Sequence, residues 1–206
     1  MTGVYPTRDE FVELLKSDDL RQLVRDRLFA GLPFVYRDSP ETYDDLRHRL
    51  AVALNVLDSD VTIVGSGRLG FSLSPDNFGA AFRDESDLDV LVVSDRLFDE
   101  IWLDMVSLSR RAFGMLPLRD KERVLEHKTN EVYWGRLWPH KLVRVSKVAR
   151  RWVGAFRALS RNPRLAYHEP RGRLYRTWNH AELYHVDGLS QLRFELRRIG
   201  GTTLPN

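Results

Sequence analysis

Cysteine is absent from this 206-residue chain, and its absence excludes several kinds of chemistry. Without thiols, the protein has no disulfide, no thiolate zinc site and no cysteine nucleophile. Long apolar runs are also missing, and no segment approaches the roughly 20 residues of a membrane-spanning helix. The first ten residues lack the basic and apolar regions of a signal peptide. We therefore expect a cytoplasmic protein with no membrane partner.

Acidic residues are scarce in the segment Arg136–Arg176, where twelve lysines and arginines accompany a single acid. Because the whole chain has a formal charge of only +3, the remainder is acidic. Such a basic block is typical of a surface for nucleic acid or nucleotide phosphates. The spacing of Lys147, Arg150 and Arg151 (i, i+3, i+4) predicts that one helical face presents these three cations. That face would bind a polyanion or would simply be an ordinary solvated surface.

Two motifs carry most of the chemical information in the chain. An apolar strand ends in the turn Gly65-Ser66, and a second apolar strand, Leu88–Val93, contains Asp89 and follows Asp87. Because side chains alternate along a strand, the two aspartates point to the same face. Two carboxylates on one face repel each other unless a cation lies between them. Mg²⁺ is such a cation, and it is usually bound by carboxylates together with substrate phosphates.

The Gly-Ser turn predicts a phosphate site beside this metal site. Backbone N–H groups in such a turn bind phosphate oxygens, and the Ser66 hydroxyl is a further donor. Together the motifs indicate two-metal phosphoryl or nucleotidyl transfer. Arg68 follows where a cation would face the phosphates, although a solvated loop arginine needs no such role. The G-x-G-x-x-G spacing from Gly65 to Gly70 also matches the dinucleotide fingerprint, but L-S-P-D-N follows and interrupts the helix which that fingerprint requires.

The order of these motifs resembles that of the DNA polymerase β-like nucleotidyltransferase superfamily, over roughly residues 58 to 95. The resemblance implies an α+β fold, with a mixed β-sheet flanked by helices. It implies that Gly65 and Ser66 hold the β,γ-phosphates of a nucleoside triphosphate, and that Asp87 and Asp89 bind two Mg²⁺ ions, which Mn²⁺ can replace. An acceptor hydroxyl would then attack the α-phosphorus in line and release pyrophosphate.

The sequence departs from the superfamily pattern at two points. The segment between the two motifs is longer than is usual in the family, which predicts an inserted loop. The family's third carboxylate has no clear counterpart, because the later predicted strand, Arg171–Trp178, contains no acid. Glu169, just before that strand, is a candidate. Glu182 instead has the capping-box spacing with Asn179 at the start of a helix.

The acceptor and the degree of activity stay open at this point. The acceptor could be an oligonucleotide, an RNA or a protein hydroxyl. Small family members of this kind are often found in bacterial antiviral defence or toxin–antitoxin pairs, by resemblance alone. The alternative is a catalytically degenerate module of the same fold that binds nucleotide, nucleic acid or a partner protein. None of the six histidines has the spacing of a metal site, so we assign them no ligand role.

The remaining pattern predicts one domain over residues 1–206, with its core at about 40–180. The capping box Thr7-x-x-Glu10 predicts the start of an N-terminal helix. Apolar periodicity and capping residues predict helices over residues 8–30, 40–56, 97–113, 146–160 and 179–198. The apolar residues of the 97–113 helix, including Trp102, are expected in the core rather than on a base-stacking surface.

Overall fold

The computed structural model describes residues 5–16, 19–162 and 168–200 of the chain. Its α-helices are α1 (Arg8–Leu14), α2 (Leu20–Leu23), α3 (Pro40–Leu54), α4 (Ser66–Leu69), α5 (Asp95–Val106), α6 (Arg110–Met115), α7 (Leu118–Glu126), α8 (Lys147–Ser160) and α9 (Trp178–Gly200). Its strands are β1 (Val61–Ile63), β2 (Leu88–Val93), β3 (Arg136–Leu137) and β4 (Pro170–Tyr175). Among the described residues, every helix is too short or too polar to cross a membrane.

The strands form one mixed sheet in the order β1-β2-β4-β3. Strand β1 is antiparallel to β2, β2 is parallel to β4, and β3 is antiparallel to β4. The parallel pair needs a long crossover connection, and helices α5 to α8 with β3 lie between its two strands in sequence. The predicted α+β class with a mixed sheet flanked by helices is therefore confirmed. The extent of one domain over 1–206 stays a prediction.

One face of the sheet is apolar along its whole length. Leu88, Val90 and Val92 of β2 are buried with Leu174 of β4 in a cluster that includes side chains of α3, α5 and α8. Gly172 lets β4 approach α8 closely, because a Cβ there would lie 2.6 Å from a ring carbon of Trp152 and would also overlap Phe156. Those two rings stack with their centroids 5.0 Å apart. Packing against α8 therefore fixes the position of β4.

The opposite face is covered only in part. Leu91 and Val93 pack with Tyr175 and Ala181, which belongs to α9. Beyond them, α1 and α2 pack on the middle of α9 through a second group of buried apolar side chains: Phe11, Leu20, Leu23, Leu28, Leu189 and Leu192. The beginning of β2, where the two aspartates lie, remains outside both apolar clusters. The helices therefore leave this end of the sheet accessible.

Most predicted helices are confirmed, with shifted ends. Helix α3 covers most of 40–56, helix α8 starts at the N-cap Ser146, and α9 includes 179–198. Thr7 and Glu10 make both bonds of the predicted capping box. The predicted 97–113 helix is two helices, because Val106 ends α5 and Ser109 caps α6. Trp102 was expected in the core, but its side chain is 40% exposed.

Two further predictions, one helix and one capping box, are also wrong. The helix over 8–30 is interrupted, because α1 ends at Leu14 and α2 begins after the N-cap Asp19, before a π-helical turn (Val24–Phe29). Residues 17 and 18 of that prediction lie outside the described residues. The capping box of Glu182 is absent, because Glu182 is buried and accepts a hydrogen bond from Arg25 at 2.6 Å. It therefore joins α9 to the segment after α2.

Candidate functional site

The two sequence motifs come into direct contact at the beginning of β2. Strands β1 and β2 are antiparallel, with Ile63 opposite Val90, so the turn after β1 lies beside the first residues of β2. The amide of Val64 donates to the Asp89 carbonyl at 2.9 Å. At Gly65, φ is 67° and ψ is −146°, a backbone conformation that is essentially restricted to glycine. A Cβ on Gly65 would lie only 3.0 Å from Asp89 Oδ2, so the bare backbone of the turn faces this carboxylate.

Asp87 and Asp89 lie on one face of the sheet and are each about one-third exposed. Two arginines of the parallel strand β4 face them. Arg171 Nη1 lies 2.8 Å from Asp87 Oδ2, and Arg173 Nη2 lies 3.9 Å from Asp89 Oδ1. Leu88, between the aspartates, is buried on the opposite face. The predicted same-face arrangement of the two carboxylates therefore agrees with the geometry.

Burial makes the charged form of Asp89 costly in the ligand-free protein. Burial raises the pKa of the Asp89 carboxyl above its ordinary value, and the neighbouring Asp87 raises it further. Arg173 and Arg171 act in the opposite direction on that pKa, but the net direction is upward. The carboxylate form of Asp89 is thus less stabilised by its surroundings than in water, and a divalent cation would stabilise it.

Ser66 follows this contact as the first residue of α4. Its side chain is half-buried, and within the described residues its hydroxyl makes no hydrogen bond. The hydroxyl adjoins Gly65, whose backbone faces Asp89. A free hydroxyl in this place is available as a donor to an oxygen ligand.

Arg68 has a different position from the one that the sequence predicted. Its side chain is buried, its Nε donates to the Arg27 carbonyl at 3.0 Å, and its Nη1 donates to the Gly31 carbonyl at 2.7 Å. Burial lowers the pKa of Arg68. The guanidinium therefore holds the turn after α2, and this structural role replaces the predicted phosphate contact.

Lys147, Arg150 and Arg151 share an exposed surface of α8, as predicted. Helix α8 covers the apolar face of the sheet, whereas the aspartates lie on the other face. Arg150 also donates to the Val143 carbonyl at 2.9 Å. The structure does not bring these cations to the aspartates, so a polyanion on α8 would occupy a separate surface.

Glu169 lies close to the aspartates along the backbone. Its carbonyl accepts from the Leu88 amide at 2.9 Å, and its side chain is exposed. The alternation of β4 puts Glu169 on the same face as Arg171. No group of three or more metal-ligating side chains forms among residues 5–16, 19–162 and 168–200. Its role as a third carboxylate stays a prediction.

The predicted inserted loop between the motifs is ordered by its own contacts. Phe71 and Ala81 form an isolated bridge, and the tip of the loop is a 3₁₀ turn, Pro75–Asn77. Near its end, His168 Nδ1 lies 3.1 Å from the Ser86 carbonyl, and the His168 ring packs on Phe82. Ser86, the residue just before Asp87, is therefore held in place by His168, which precedes β4.

Sequence reasoning missed Arg171, Arg173 and Trp138 as residues of this site. The Arg173 guanidinium lies 4.3 Å from the centroid of the Trp138 ring. The Trp138 indole donates to Glu131 at 2.9 Å, which fixes the ring edge. The alternation R-G-R of residues 171–173 matches the period of D-L-D in residues 87–89. That match could have indicated that the two arginines face the two aspartates, but only if the pairing of β2 with β4 were known.

The residues at this site fit the divalent ion that the resemblance implies. Gly65 leaves open the space next to Asp89 that a Cβ would fill, and the two carboxylates supply hard oxygen donors. Mg²⁺ is usually held by only one or two carboxylates, with water and substrate phosphates in the other positions. Two aspartates are therefore a sufficient protein contribution when a phosphate ligand is present.

Comparisons of the chain with protein-family models, curated proteins and solved structures found no match. The functional conclusion therefore depends on the geometry around Asp87 and Asp89.

Proposed function

We propose that this protein is a metal-dependent nucleotidyltransferase of the polymerase β-like type. It would move a nucleoside monophosphate from a nucleoside triphosphate to a hydroxyl acceptor and release pyrophosphate. The contact of Gly65 with the Asp89 carboxylate carries the proposal, since it joins a phosphate-binding turn to a pair of carboxylates on one sheet face.

Each residue of the site has a distinct task in this proposal. Asp87 and Asp89 would hold Mg²⁺, and Gly65 and Ser66 would hold the β,γ-phosphates through backbone and hydroxyl donors. Bound Mg²⁺ supplies charge neutralisation of the phosphates and lowers the pKa of an oxygen nucleophile. The acceptor oxygen forms a bond to the α-phosphorus while the bond to the bridging oxygen of pyrophosphate breaks. The acceptor proton passes to solvent or to a carboxylate, and no covalent protein intermediate is required.

The test is a direct search for the transferred nucleotide. Purified protein is incubated with each α-³²P-labelled nucleoside triphosphate and Mg²⁺ or Mn²⁺, with and without RNA, and the products are separated by gel and thin-layer chromatography. We expect a labelled product that Asp87→Asn and Asp89→Asn abolish and that EDTA prevents. Leu57→Asn is the matched control, because Leu57 is exposed and lies outside the site. The absence of label from every acceptor, the protein included, would refute the proposal.

A second candidate is a degenerate module that binds a nucleotide without transferring it. The specific observation in its favour is the pair Arg171 and Arg173 on the strand where the resemblance leads one to expect a third carboxylate. Equilibrium dialysis with the same labelled triphosphates separates the two functions. Binding that requires Ser66 or Asp89, without any labelled product, would favour the module over the enzyme.

A further inference from the structure

Arg171 and Arg173 differ from three other arginines near the sheet in having unused side-chain donors. Arg68, Arg136 and Arg176 all donate hydrogen bonds to carbonyls or carboxylates. In the described part of the chain, the side chains of Arg171 and Arg173 make no such hydrogen bond, and each forms a single ion pair with a carboxylate. A guanidinium has five N–H donors, so these two side chains retain most of their binding capacity.

The position of Arg173 is nevertheless well defined. Its guanidinium lies over the Trp138 ring, and its side chain is only 30% exposed. The Trp138 ring is itself held by its bond to Glu131, which also accepts from Arg136 at 2.6 Å. Stacking on a fixed aromatic ring orients an arginine without consuming its N–H donors. Arg173 is therefore oriented before any ligand arrives.

The four charges at the site cancel in the ligand-free protein. Asp87 and Asp89 contribute two negative charges, and Arg171 and Arg173 contribute two positive charges. A metal ion that binds alone meets the two arginines, and a triphosphate that binds alone meets the two aspartates. When both are present, each charge gains a new partner of opposite sign. The Arg171–Asp87 pair is partly exposed and the Arg173–Asp89 pair is long, at 3.9 Å, so both ion pairs open at little cost.

We propose that Arg171 and Arg173 bind the phosphates of the nucleoside triphosphate and leave the aspartates free for the metal. This assignment rests on the proposed nucleotidyl-transfer function, and it adds two binding residues on β4 to the turn Gly65-Ser66. In the ligand-free protein the arginines neutralise Asp87 and Asp89. On binding, the arginines exchange the aspartates for the phosphates as ionic partners, and Arg173 stays stacked on Trp138. Metal and triphosphate therefore promote each other's binding, as linkage requires.

The experiment measures each ligand alone, without turnover. The probes are Mn²⁺, followed by electron paramagnetic resonance of the free ion, and inorganic tripolyphosphate in EDTA, followed by calorimetry. Tripolyphosphate presents the phosphates without a base, so the unknown base preference does not enter. The test variant is Arg171→Gln/Arg173→Gln. The matched control is Arg157→Gln/Arg161→Gln, which removes two exposed arginines from the end of α8.

We expect the test variant to change the two affinities in opposite directions. It should bind tripolyphosphate at least tenfold more weakly and Mn²⁺ alone at least threefold more tightly than the wild type. Asp87→Asn should show the reverse, with tighter tripolyphosphate and weaker Mn²⁺ binding. The control variant should match the wild type for Mn²⁺ and lose less than threefold for tripolyphosphate.

Three outcomes would overturn the assignment. The first is a test variant that equals the wild type for both probes, and the second is one that loses affinity for both, as a damaged fold would. The third is a lack of tripolyphosphate binding even by Asp87→Asn at millimolar concentration. Failure of the proposed function is a different result, namely no labelled product from any triphosphate. The opposed shifts in affinity would persist in that case, and the arginines would belong to a binding module.

Discussion

The two faces of the paired strands β2 and β4 (Leu88–Val93 and Pro170–Tyr175) differ in the contacts that their side chains make. On one face, Leu88 and Val90 are fully buried against the helices, and a Cβ added at Gly172 would collide with α8. On the other face, at the same end of the strands, Asp87 and Asp89 are partly exposed and face arginines with free donors. Stability thus resides mainly on the first face, and the capacity to bind resides on the second. A substitution at one residue of β2 can therefore affect stability, while a substitution at the next residue affects binding.

The largest expected effect comes from changing adjacent residues on opposite faces. Asp89→Asn should lower product formation by at least about 100-fold, because a metal ligand is lost, while the urea midpoint stays the same or rises. Leu88→Ala should lower the free energy of unfolding by about 2–5 kcal/mol, because a buried side chain leaves a cavity. Product assays and urea titrations on both variants make the comparison. Equal loss of stability in the two variants would contradict the separation of the faces.

A smaller loss is expected at the free hydroxyl of Ser66. Ser66→Ala should weaken triphosphate use by about 1–3 kcal/mol, since a hydrogen bond to a charged oxygen is lost. Steady-state kinetics with varied triphosphate would measure the change. Ser109→Ala removes a hydroxyl that caps α6 and is the control for stability without a site effect. Unchanged kinetics in Ser66→Ala would remove this serine from the phosphate site.

Helix α9, which covers part of the second face, contains a histidine that makes stability depend on pH. Burial lowers the pKa of His185 to about 4, and the charges of Arg173 and Arg136 act in the same direction. Unfolded histidine takes up its proton near pH 6.5, so the neutral form stabilises the fold above that pH. This stability is lost as the pH falls from about 6.5 towards 4.

The free energy of unfolding should therefore be roughly 1–2 kcal/mol lower at pH 5 than at pH 7 through this residue alone. His185→Gln, which cannot titrate, should show a correspondingly weaker dependence in urea titrations at the two pH values. Identical pH profiles for His185→Gln and the wild type would show that the pKa of His185 is not lowered in the fold.

The smallest effect on binding is expected from changes to the exposed cations of α8, which point away from the sheet. If its cations bind RNA, changing Lys147, Arg150 and Arg151 to Ala should flatten the salt dependence of RNA affinity by up to about 2 units of slope. Triphosphate affinity should not change, because the sheet separates α8 from Asp87 and Asp89. Fluorescence anisotropy with labelled RNA at several salt concentrations measures the slope. A loss of triphosphate affinity in this variant would contradict the separation.

Local patterns in the sequence predicted what depends on neighbours along the chain. The apolar run Leu88–Val93 predicted a strand, and alternation predicted that Asp87 and Asp89 share a face. The capping box at Thr7 and Glu10 was correct for the same reason. These features need no knowledge of which distant segments meet.

Features that depend on distant segments were missed or wrong. Arg171 and Arg173 acquire their meaning from the parallel pairing of β2 with β4, which no local pattern specifies. Arg68 is buried because the carbonyls of Arg27 and Gly31 converge on it from a separate segment. Glu182 resembled a capping residue, but its partner is Arg25, far away in the sequence. In each case a charged side chain interacts with a residue distant in the sequence, which the local pattern could not predict.

The loop between the two motifs offers a position at which a tag can be inserted for experiments in cells. Its base is fixed by the bridge between Phe71 and Ala81 and by His168, whereas its tip, Pro75–Asn77, is exposed. Extra sequence at an exposed loop tip is usually tolerated, because loop closure becomes only slightly more costly with length. A fluorescent protein or an affinity tag inserted after Asp76 would thus leave the base of the loop intact. The tip offers an internal attachment point that leaves both chain ends unmodified.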